Sequence, residues 1–208
     1  MAKIITLSGI DGSGKSTCED IIKDLLYEFG AKKIACMDSM KPGALSNVLK
    51  QISVQKKISV RENFSPSLIN IVWMADLLFN YEHYIQPALN EFDCIILHRS
   101  ELCCRTYSKL FNPDDDTIDI VLDNHSLHYD MNIFLNIAPS IAYERICKRN
   151  GACPNTEKES IELLTRADSI YKEYISLPRY RNMVSVDTGT PKAVVKEQLR
   201  DVIKKIKL

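Results

Sequence analysis

Residues 9–16 read Gly9-Ile10-Asp11-Gly12-Ser13-Gly14-Lys15-Ser16, which matches the pattern GxxxxGK[ST] at every fixed position. The octapeptide follows Lys3–Ser8, an apolar run that predicts a β-strand. After it, apolar residues recur at helical spacing until Gly30, which is predicted to end the helix. A strand, a glycine-rich turn and a helix in this order form a phosphate-binding loop.

The chemistry of such a loop is the binding of a nucleoside triphosphate. Its glycines let successive backbone N–H groups point at phosphate oxygens, and the helix that begins near Lys15 adds the positive end of its dipole. The Lys15 ammonium is expected to reach the β- and γ-phosphates of ATP, and the Ser16 hydroxyl to ligate Mg²⁺. The loop residues predicted to bind ATP are Gly9, Asp11, Gly12, Ser13, Gly14, Lys15, Ser16 and Thr17.

The rest of the chain alternates short β-branched runs with longer helical patterns, which predicts a parallel sheet with crossover helices. Further strands are predicted at 33–37, 94–97, 131–137 and 183–186. Helices are predicted at 65–89, 139–149 and 157–175, with a last helix running to 206. The expected fold is α/β in three layers, a five-stranded parallel sheet flanked by helices, in a single domain over residues 1–208.

The charge balance argues against a protein that binds nucleic acid or an anionic membrane. The chain carries 27 Lys and Arg against 27 Asp and Glu, so no long-range positive field attracts a polyanion. No apolar run approaches the roughly 20 residues of a membrane span, and the residues before the loop are too few for a signal peptide. We therefore expect a cytoplasmic protein.

The seven cysteines are scattered along the chain and contain no CxxC pair. An odd, scattered set argues against a disulfide framework and against a structural zinc site. We therefore expect reduced thiols.

Beyond the loop, further segments make the chain resemble the thymidylate kinase family of P-loop kinases. The loop itself carries the acidic residue and the glycine that the family has after its first positions. The other similar segments, in chain order, are Met74-Ala75-Asp76 for the family's AADR, Ile85-Gln86-Pro87-Ala88-Leu89 for IxPAL, His98-Arg99-Ser100 for DRY or DRH, Tyr107 for AYQ, Ile133-Phe134-Leu135-Asn136-Ile137-Ala138-Pro139 for FLDVPP, Glu144-Arg145-Ile146 for ERI, Arg166 with Tyr171 for R-x4-Y, and Val186-Asp187. The resemblance runs nearly end to end.

This resemblance implies a nucleoside monophosphate kinase that transfers the γ-phosphoryl group of MgATP to dTMP or a related deoxynucleotide. It implies that Arg99 holds the acceptor phosphate and that Asp11 faces the acceptor sugar or the metal. Lys15, Arg99 and Asp11 are accordingly the predicted catalytic residues. The residues predicted to bind the acceptor are Asp38, Trp73, Arg99, Cys104 and Tyr107.

The resemblance also implies features outside the acceptor site. Trp73 would stack on the base, and Tyr107 would disfavour a ribose at the 2′ edge of the sugar. A lid is expected at about 148–158, with Arg149 as an ATP-binding residue. The stretch 188–191 would lie near the ATP adenine, and the protein would be a homodimer.

Several positions depart from the family's pattern. A phosphate-contacting arginine of the family corresponds to Met40, its base-reading arginine to Leu77, and the aspartate of its DR pair to His98. The lid's usual DR is Pro154-Asn155, which leaves Lys148 and Arg149 as the nearby cations. The residues expected to bind ATP in the loop are therefore retained, whereas several of those expected to bind the acceptor differ from the family's pattern.

Two other functions stay open at this point. Asp38 follows the second predicted strand, where a hydroxyl acceptor would need a carboxylate base, so a deoxynucleoside kinase or another small-molecule hydroxyl kinase is one alternative. Asp38 also fits a capped turn before Pro42, which the sequence favours. The second alternative is a regulator that binds ATP without transferring its phosphate. It is suggested by the absence of arginines that the family has in its acceptor pocket and lid. Trp73 also fits core packing, and Lys148 and Arg149 also fit a solvated helix end.

Overall fold

The computed structural model describes residues 1–41, 43–125, 127–153 and 160–206. Within these ranges five strands form one parallel sheet in the order β2-β3-β1-β4-β5. The strands are β1 Lys3–Ser8, β2 Ile34–Asp38, β3 Cys94–His98, β4 Met131–Asn136 and β5 Val184–Asp187. The predicted five-stranded parallel α/β fold is confirmed.

Helices connect the strands and cover both faces of the sheet. They are α1 Lys15–Glu28, α2 Ala44–Lys56, α3 Val60–Asn63, α4 Pro66–Asn80, α5 Gln86–Ala88, α6 Glu101–Phe111, α7 Thr117–Asp123, α8 Pro139–Asn150, α9 Ile161–Ile175 and α10 Lys192–Ile203. Across the described ranges, none of them combines the length and the apolar character that crossing a bilayer demands.

The helix predicted at 65–89 is broken into pieces. Helix α4 ends at Asn80, and a π-helical turn, Tyr81–Ile85, joins it to α5. The cause is Pro87, which has no N–H to donate and whose ring would clash with the carbonyl four residues earlier. The wider π turn relieves that clash, and the chain continues in the same direction.

The core lies on both faces of the sheet. Ile5 and Leu7 of β1 pack against α1 and α10, whereas Ile4 packs on the other face with Tyr81 and Ile85. A strand that is buried on both faces needs a continuous apolar run, as Lys3–Ser8 supplies. Because all strands are parallel, their carboxyl ends share one edge, where the loops that carry polar residues converge.

An ion network centred on the buried Arg105 ties α6 to α7 and α9. The Arg105 side chain on α6 is 2% exposed and lies 2.7 Å from a carboxylate oxygen of Asp119 and 2.8 Å from one of Asp123. The Tyr174 hydroxyl on α9 donates to the second Asp119 oxygen at 2.7 Å. Arg179 also pairs with Asp123. The network holds α7 against the wall of helices on this face.

Replacing Arg105 by Met is expected to lower the free energy of unfolding by about 3 kcal/mol, at the lower end of the range for breaking a buried pair, because Asp123 keeps Arg179. The measurement is the urea midpoint of unfolding. The matched control is Arg200→Met, which breaks an exposed pair with Glu28 and should cost under about 1 kcal/mol. Equal losses for the two variants would show that the network contributes no more than a surface pair.

The prediction that the thiols are reduced is wrong for one pair. Cys147 on α8 and Cys153 form a disulfide, with their Cα atoms 4.2 Å apart. Gly151 ends α8 in a left-handed conformation with φ 71° and turns the chain back, which brings Cys153 beside the last turn of the helix. The other five cysteines are free thiols. Of the lid predicted at about 148–158, residues 154–158 lie outside the described ranges.

Candidate active site

The phosphate-binding loop connects β1 to α1 and folds around the Lys15 side chain. The Lys15 ammonium donates to the carbonyl oxygens of Gly9 and Ile10, at 2.8 and 2.9 Å. An oxygen of the Asp11 carboxylate lies 3.8 Å from the same nitrogen. Burial lowers the pKa of Lys15 below its ordinary value, and the negative charge of Asp11 opposes this shift. The cation is therefore held inside the curl of the loop, where the terminal phosphates of a nucleotide would lie.

The loop backbone depends on glycine at Gly12. This residue has φ 80°, in the left-handed region, and a Cβ built there would overlap the backbone carbonyl of Ala142 in α8. Gly14, the residue before α1, is also left-handed at φ 87° and places no side-chain cap on the helix. The first N–H groups of α1 are consequently not occupied by a capping side chain, which is the arrangement that binds anions.

Arg99 occupies a strained turn between β3 and α6. Its φ is 70°, a left-handed conformation that is costly for a residue with a Cβ, and its N–H donates to the carbonyl of Leu7 at 3.0 Å. Ser100 follows as the N-cap of α6, where its hydroxyl accepts from the Leu102 N–H at 3.2 Å. Such strain is concentrated at functional sites, because the surrounding structure holds it in place. The Arg99 Nε lies 3.8 Å from the Asp38 carboxylate.

A cavity of about 220 Å³ opens beside this turn and is called the acceptor cavity below. Every residue that the sequence predicts for the acceptor lines it, together with Asp11 of the loop. These residues are Asp11, Asp38, Trp73, Arg99, Cys104 and Tyr107. The structure brings these side chains together, and their individual roles remain predictions. An elongated molecule with an anionic end matches this combination of cations and aromatic rings.

Cys104 and Trp73 contribute apolar surface to the acceptor cavity. Cys104 also belongs to a buried cluster with Met74 and Leu77. Burial raises the pKa of the Cys104 thiol to about 12, so the group packs rather than reacts. Trp73 is half-buried on the same wall of the cavity, where it can both pack and offer a ring face.

Asp38 and His98 lie at the carboxyl edge of the sheet. One Asp38 oxygen accepts the Met40 N–H at 2.9 Å, and the other faces Arg99 and Lys41, each at 3.8 Å. Asp38 thus caps a turn and lines the acceptor cavity at once. The His98 Nε2 lies 2.6 Å from a carboxylate oxygen of Glu19 on α1, so His98 contacts the helix of the phosphate loop.

A second cavity, of about 180 Å³, lies beside the amino-terminal end of α1. It is lined by Gly14 and Thr17 of the loop region and by Thr188 and Thr190, in the stretch predicted to lie near adenine. Arg145 of α8 also lines it and donates to the Thr188 carbonyl at 2.7 Å. The sequence prediction did not include Arg145 as a site residue, although its Glu-Arg-Ile segment was a recognisable signal.

Arg149 does not line either of these two cavities. It is exposed at the end of α8, where its Nε donates to the Asn150 side chain at 3.2 Å. Its predicted contact with ATP therefore remains a prediction.

The oxygen donors near the loop fit Mg²⁺. Ser16 is exposed at the second position of α1, and the Glu19 carboxylate follows one turn later. Among the described ranges no group of three or more His, Cys, Asp and Glu side chains could hold a metal ion alone. Mg²⁺ in nucleotide sites needs only one or two protein oxygens, because phosphates and water supply the others. The predicted ligand Ser16 is compatible with that donor set.

A parallel sheet in this strand order, with a GxxxxGKS loop opening onto α1 beside an arginine-bearing cavity, defines a P-loop phosphotransferase. A sequence model of the thymidylate kinase family matches residues 7–199. The chain therefore belongs to the thymidylate kinase family, whose members are nucleoside monophosphate kinases. The predicted family is confirmed.

Three relatives illustrate the distance within the family. The chain is 28% identical to the thymidylate kinase of Legionella pneumophila (strain Corby), over 97% of this chain and 93% of the relative. It is 30% identical to that of Buchnera aphidicola subsp. Baizongia pistaciae (strain Bp), over 71% and 70%. It is 28% identical to the probable thymidylate kinase of Archaeoglobus fulgidus, over 96% and 94%.

Proposed function

We propose that this protein transfers the γ-phosphoryl group of ATP to a deoxynucleoside monophosphate, with dTMP as the first acceptor to test. The observation that carries the proposal is the acceptor cavity, which begins at Arg99 and Asp11, beside the phosphate loop, and continues along aromatic side chains. A nucleotide carries matching groups in the same order, with an anionic phosphate at one end and an aromatic base at the other. The names of the relatives support the same acceptor.

The transfer needs little chemistry from the protein beyond positioning and charge neutralisation. Lys15 and the N–H groups at the start of α1 bind the phosphates of ATP, and Arg99 binds the acceptor phosphate. An acceptor oxygen forms a bond to the γ-phosphorus while the bond to the bridging β–γ oxygen breaks, and ADP leaves. The acceptor oxygen is already anionic, so no general base is required. When bound, Mg²⁺ would be held by Ser16 and would supply further neutralisation of phosphate charge.

A hydroxyl kinase is the second candidate function, because Asp38 lines the same cavity. In that reaction Asp38 would take the proton of the attacking hydroxyl. The hydrogen bond to Met40 and the nearby Arg99 instead favour Asp38 as an anchor of the turn. A regulator that only binds ATP is less well supported, since both Lys15 and Ser16 are present.

The experiment that separates these functions is an acceptor screen coupled to ADP release, with MgATP and equal concentrations of nucleoside monophosphates and nucleosides. We expect ADP formation with dTMP or another deoxynucleoside monophosphate. Turnover with nucleosides alone would establish the hydroxyl kinase. Saturable ATP binding without turnover on any acceptor would establish the regulator.

Replacing Arg99 by Gln is expected to lower kcat/KM for the monophosphate by about 10²-fold, within the 2–5 kcal/mol that truncating one member of a buried charge pair costs. The KM for ATP should change little, which provides the internal control. Steady-state kinetics with each substrate varied in turn give both values. An unchanged kcat/KM for the monophosphate would remove Arg99 from the acceptor site.

We also propose a homodimer in the cytoplasm, where ATP and deoxynucleotides are available. Helix α4 buries one side in the protein and leaves Leu68, Ile71 and Phe79 exposed on the other. Exposed apolar side chains grouped on one element are typical of an interaction surface. Light scattering coupled to gel filtration should give twice the 23.7 kDa mass of the chain, and a monomer mass would contradict the proposal.

A further inference from the structure

We infer that Arg61 selects the base of the acceptor by donating a hydrogen bond to a carbonyl oxygen at the edge of the base that lies farthest from the sugar. This inference rests on the proposed function. For the thymine-type acceptor of the proposed function, it names the residue that distinguishes a carbonyl at ring position 4 from the amino group of cytosine.

Helix α6 sets the direction of the acceptor cavity. Cys103, Tyr107 and Phe111 line it at intervals of four residues, so one face of the helix follows the cavity. Arg99 lies two residues before the first residue of α6, and Phe111 is the last residue of that helix. At 1.5 Å per residue the two ends of this helix are about 15 Å apart. Phe111 therefore marks the end of the cavity that is remote from Arg99.

Arg61 lies at that remote end. Its guanidinium carbon is 3.2 Å from the centroid of the Phe111 ring and 5.7 Å from that of the Trp73 ring. A nucleotide whose phosphate contacts Arg99 would place its base between the aromatic side chains and present its distal edge to Arg61. On a pyrimidine that edge carries the substituent at position 4, opposite the bond to the sugar.

The backbone around Arg61 is fixed by a capping box. Arg61 is in α3, a four-residue helix with Ser59 as its N-cap. The Ser59 hydroxyl accepts from the Glu62 N–H at 3.2 Å, and the Glu62 carboxylate accepts from the Ser59 N–H at 2.8 Å. The capping box thus fixes the backbone from which the Arg61 side chain extends, and the contact with Phe111 positions the guanidinium.

The charged groups along this part of the cavity favour a carbonyl over an amino group. A guanidinium has only donors, and the same is true of the Lys50 ammonium, which also lines the cavity. The Asp76 carboxylate is buried, and its two oxygens already accept the N–H groups of Leu45 and Ser46 at 2.8 and 3.0 Å. At the end of the cavity where Arg61 lies, an amino group on the base would face a guanidinium that can only donate.

Leu77 of α4, the position that corresponds to the family's base-reading arginine, does not line the acceptor cavity. Leu77 is fully buried and packs with Met74 and Cys104 behind the wall of the cavity. The guanidinium of Arg61 therefore supplies a hydrogen-bond donor where the side chain of Leu77 supplies none.

The test compares dUMP with dCMP, a pair that differs at position 4 of the ring and in the protonation of N3. Trp73 is the single tryptophan of the chain and lines the cavity, so its fluorescence reports binding without requiring turnover. We expect dUMP to bind about 30-fold more tightly than dCMP, the effect of one hydrogen bond to a charged group. In Arg61→Met the two affinities should come within about threefold of each other, through weaker binding of dUMP.

Two further variants keep the test decisive. Arg181→Met removes an exposed guanidinium elsewhere and should retain the selectivity of the unmodified protein. Arg61→Lys keeps the charge without the planar fork and should give an intermediate ratio, which covers the case in which Arg61→Met does not fold. Melting temperatures report folding for each variant.

The possible outcomes separate this inference from the proposed function. Selective binding that disappears in Arg61→Met supports the inference, even if no monophosphate is phosphorylated and the proposed function falls. Equal affinities for dUMP and dCMP, selectivity that survives in Arg61→Met, or no saturable signal with either nucleotide would each overturn it.

Discussion

Replacing Lys15 by Ala is expected to lower ATP turnover by about 10²–10³-fold, the usual effect of removing one donor that stabilises developing charge. The ammonium lies inside the loop, hydrogen-bonded to the Gly9 and Ile10 carbonyls, where the proposed function places the terminal phosphates of ATP. Its loss removes the one side-chain cation of the loop itself. The measurements are kcat for ADP formation and the dissociation constant for ATP.

Lys23→Ala is the matched control for this variant. Lys23 belongs to the same helix and is exposed, so the substitution removes an ammonium without touching the loop. It should leave both constants within about twofold of the original, as expected for an exposed charge away from the phosphates. If Lys15→Ala behaves like the control, the loop is not the ATP site and the proposed function fails with it.

The second large effect is expected for Gly12→Ala. The left-handed backbone at φ 80° costs a residue with a Cβ about 1–2 kcal/mol, and the new methyl group would also overlap the Ala142 carbonyl. The loop and α8 must then move apart. Since a displacement of about 1 Å can reduce a rate 10²-fold, we expect a loss of activity of that order together with a lower melting temperature.

Gly30→Ala separates the two causes. Gly30 also has a positive φ, of 104°, but a Cβ built there has nothing within 4 Å. This variant should lose stability without losing ATP affinity or turnover. Full activity in Gly12→Ala would show that the contact between the loop and α8 is not required for catalysis.

The fold could be predicted because its signals are local. The strand Lys3–Ser8 has the bounds that the sequence predicts. A continuous apolar run that is followed at once by the glycine-rich loop fixes where the strand lies in the sequence. The bounds of β2 and β5 differ from the prediction by one residue at each end. The break at Tyr81 could have been anticipated from Pro87, whose effect on the helix begins six residues before its own position.

The candidate site could be predicted only where its residues adjoin the elements of the fold. Asp38 and Arg99 follow strands, so a parallel sheet places both at one edge. Arg61 lies in a helix of four residues with no hydrophobic periodicity, and its contact with Phe111 joins positions 50 residues apart. No spacing rule predicts such a contact. The same holds for Cys153, which reaches Cys147 only because Gly151 reverses the chain.

Under the proposed function, the left-handed backbone of Arg99 sets conformational stability against acceptor binding at a single residue. Glycine would relax the turn between β3 and α6, because it has no Cβ to crowd the preceding carbonyl, but it would also delete the guanidinium. Under the proposed function, selection for a higher melting temperature alone would therefore remove the group that binds the acceptor phosphate. Thermostable descendants of this protein have to gain their stability elsewhere if they are to keep phosphorylating their acceptor.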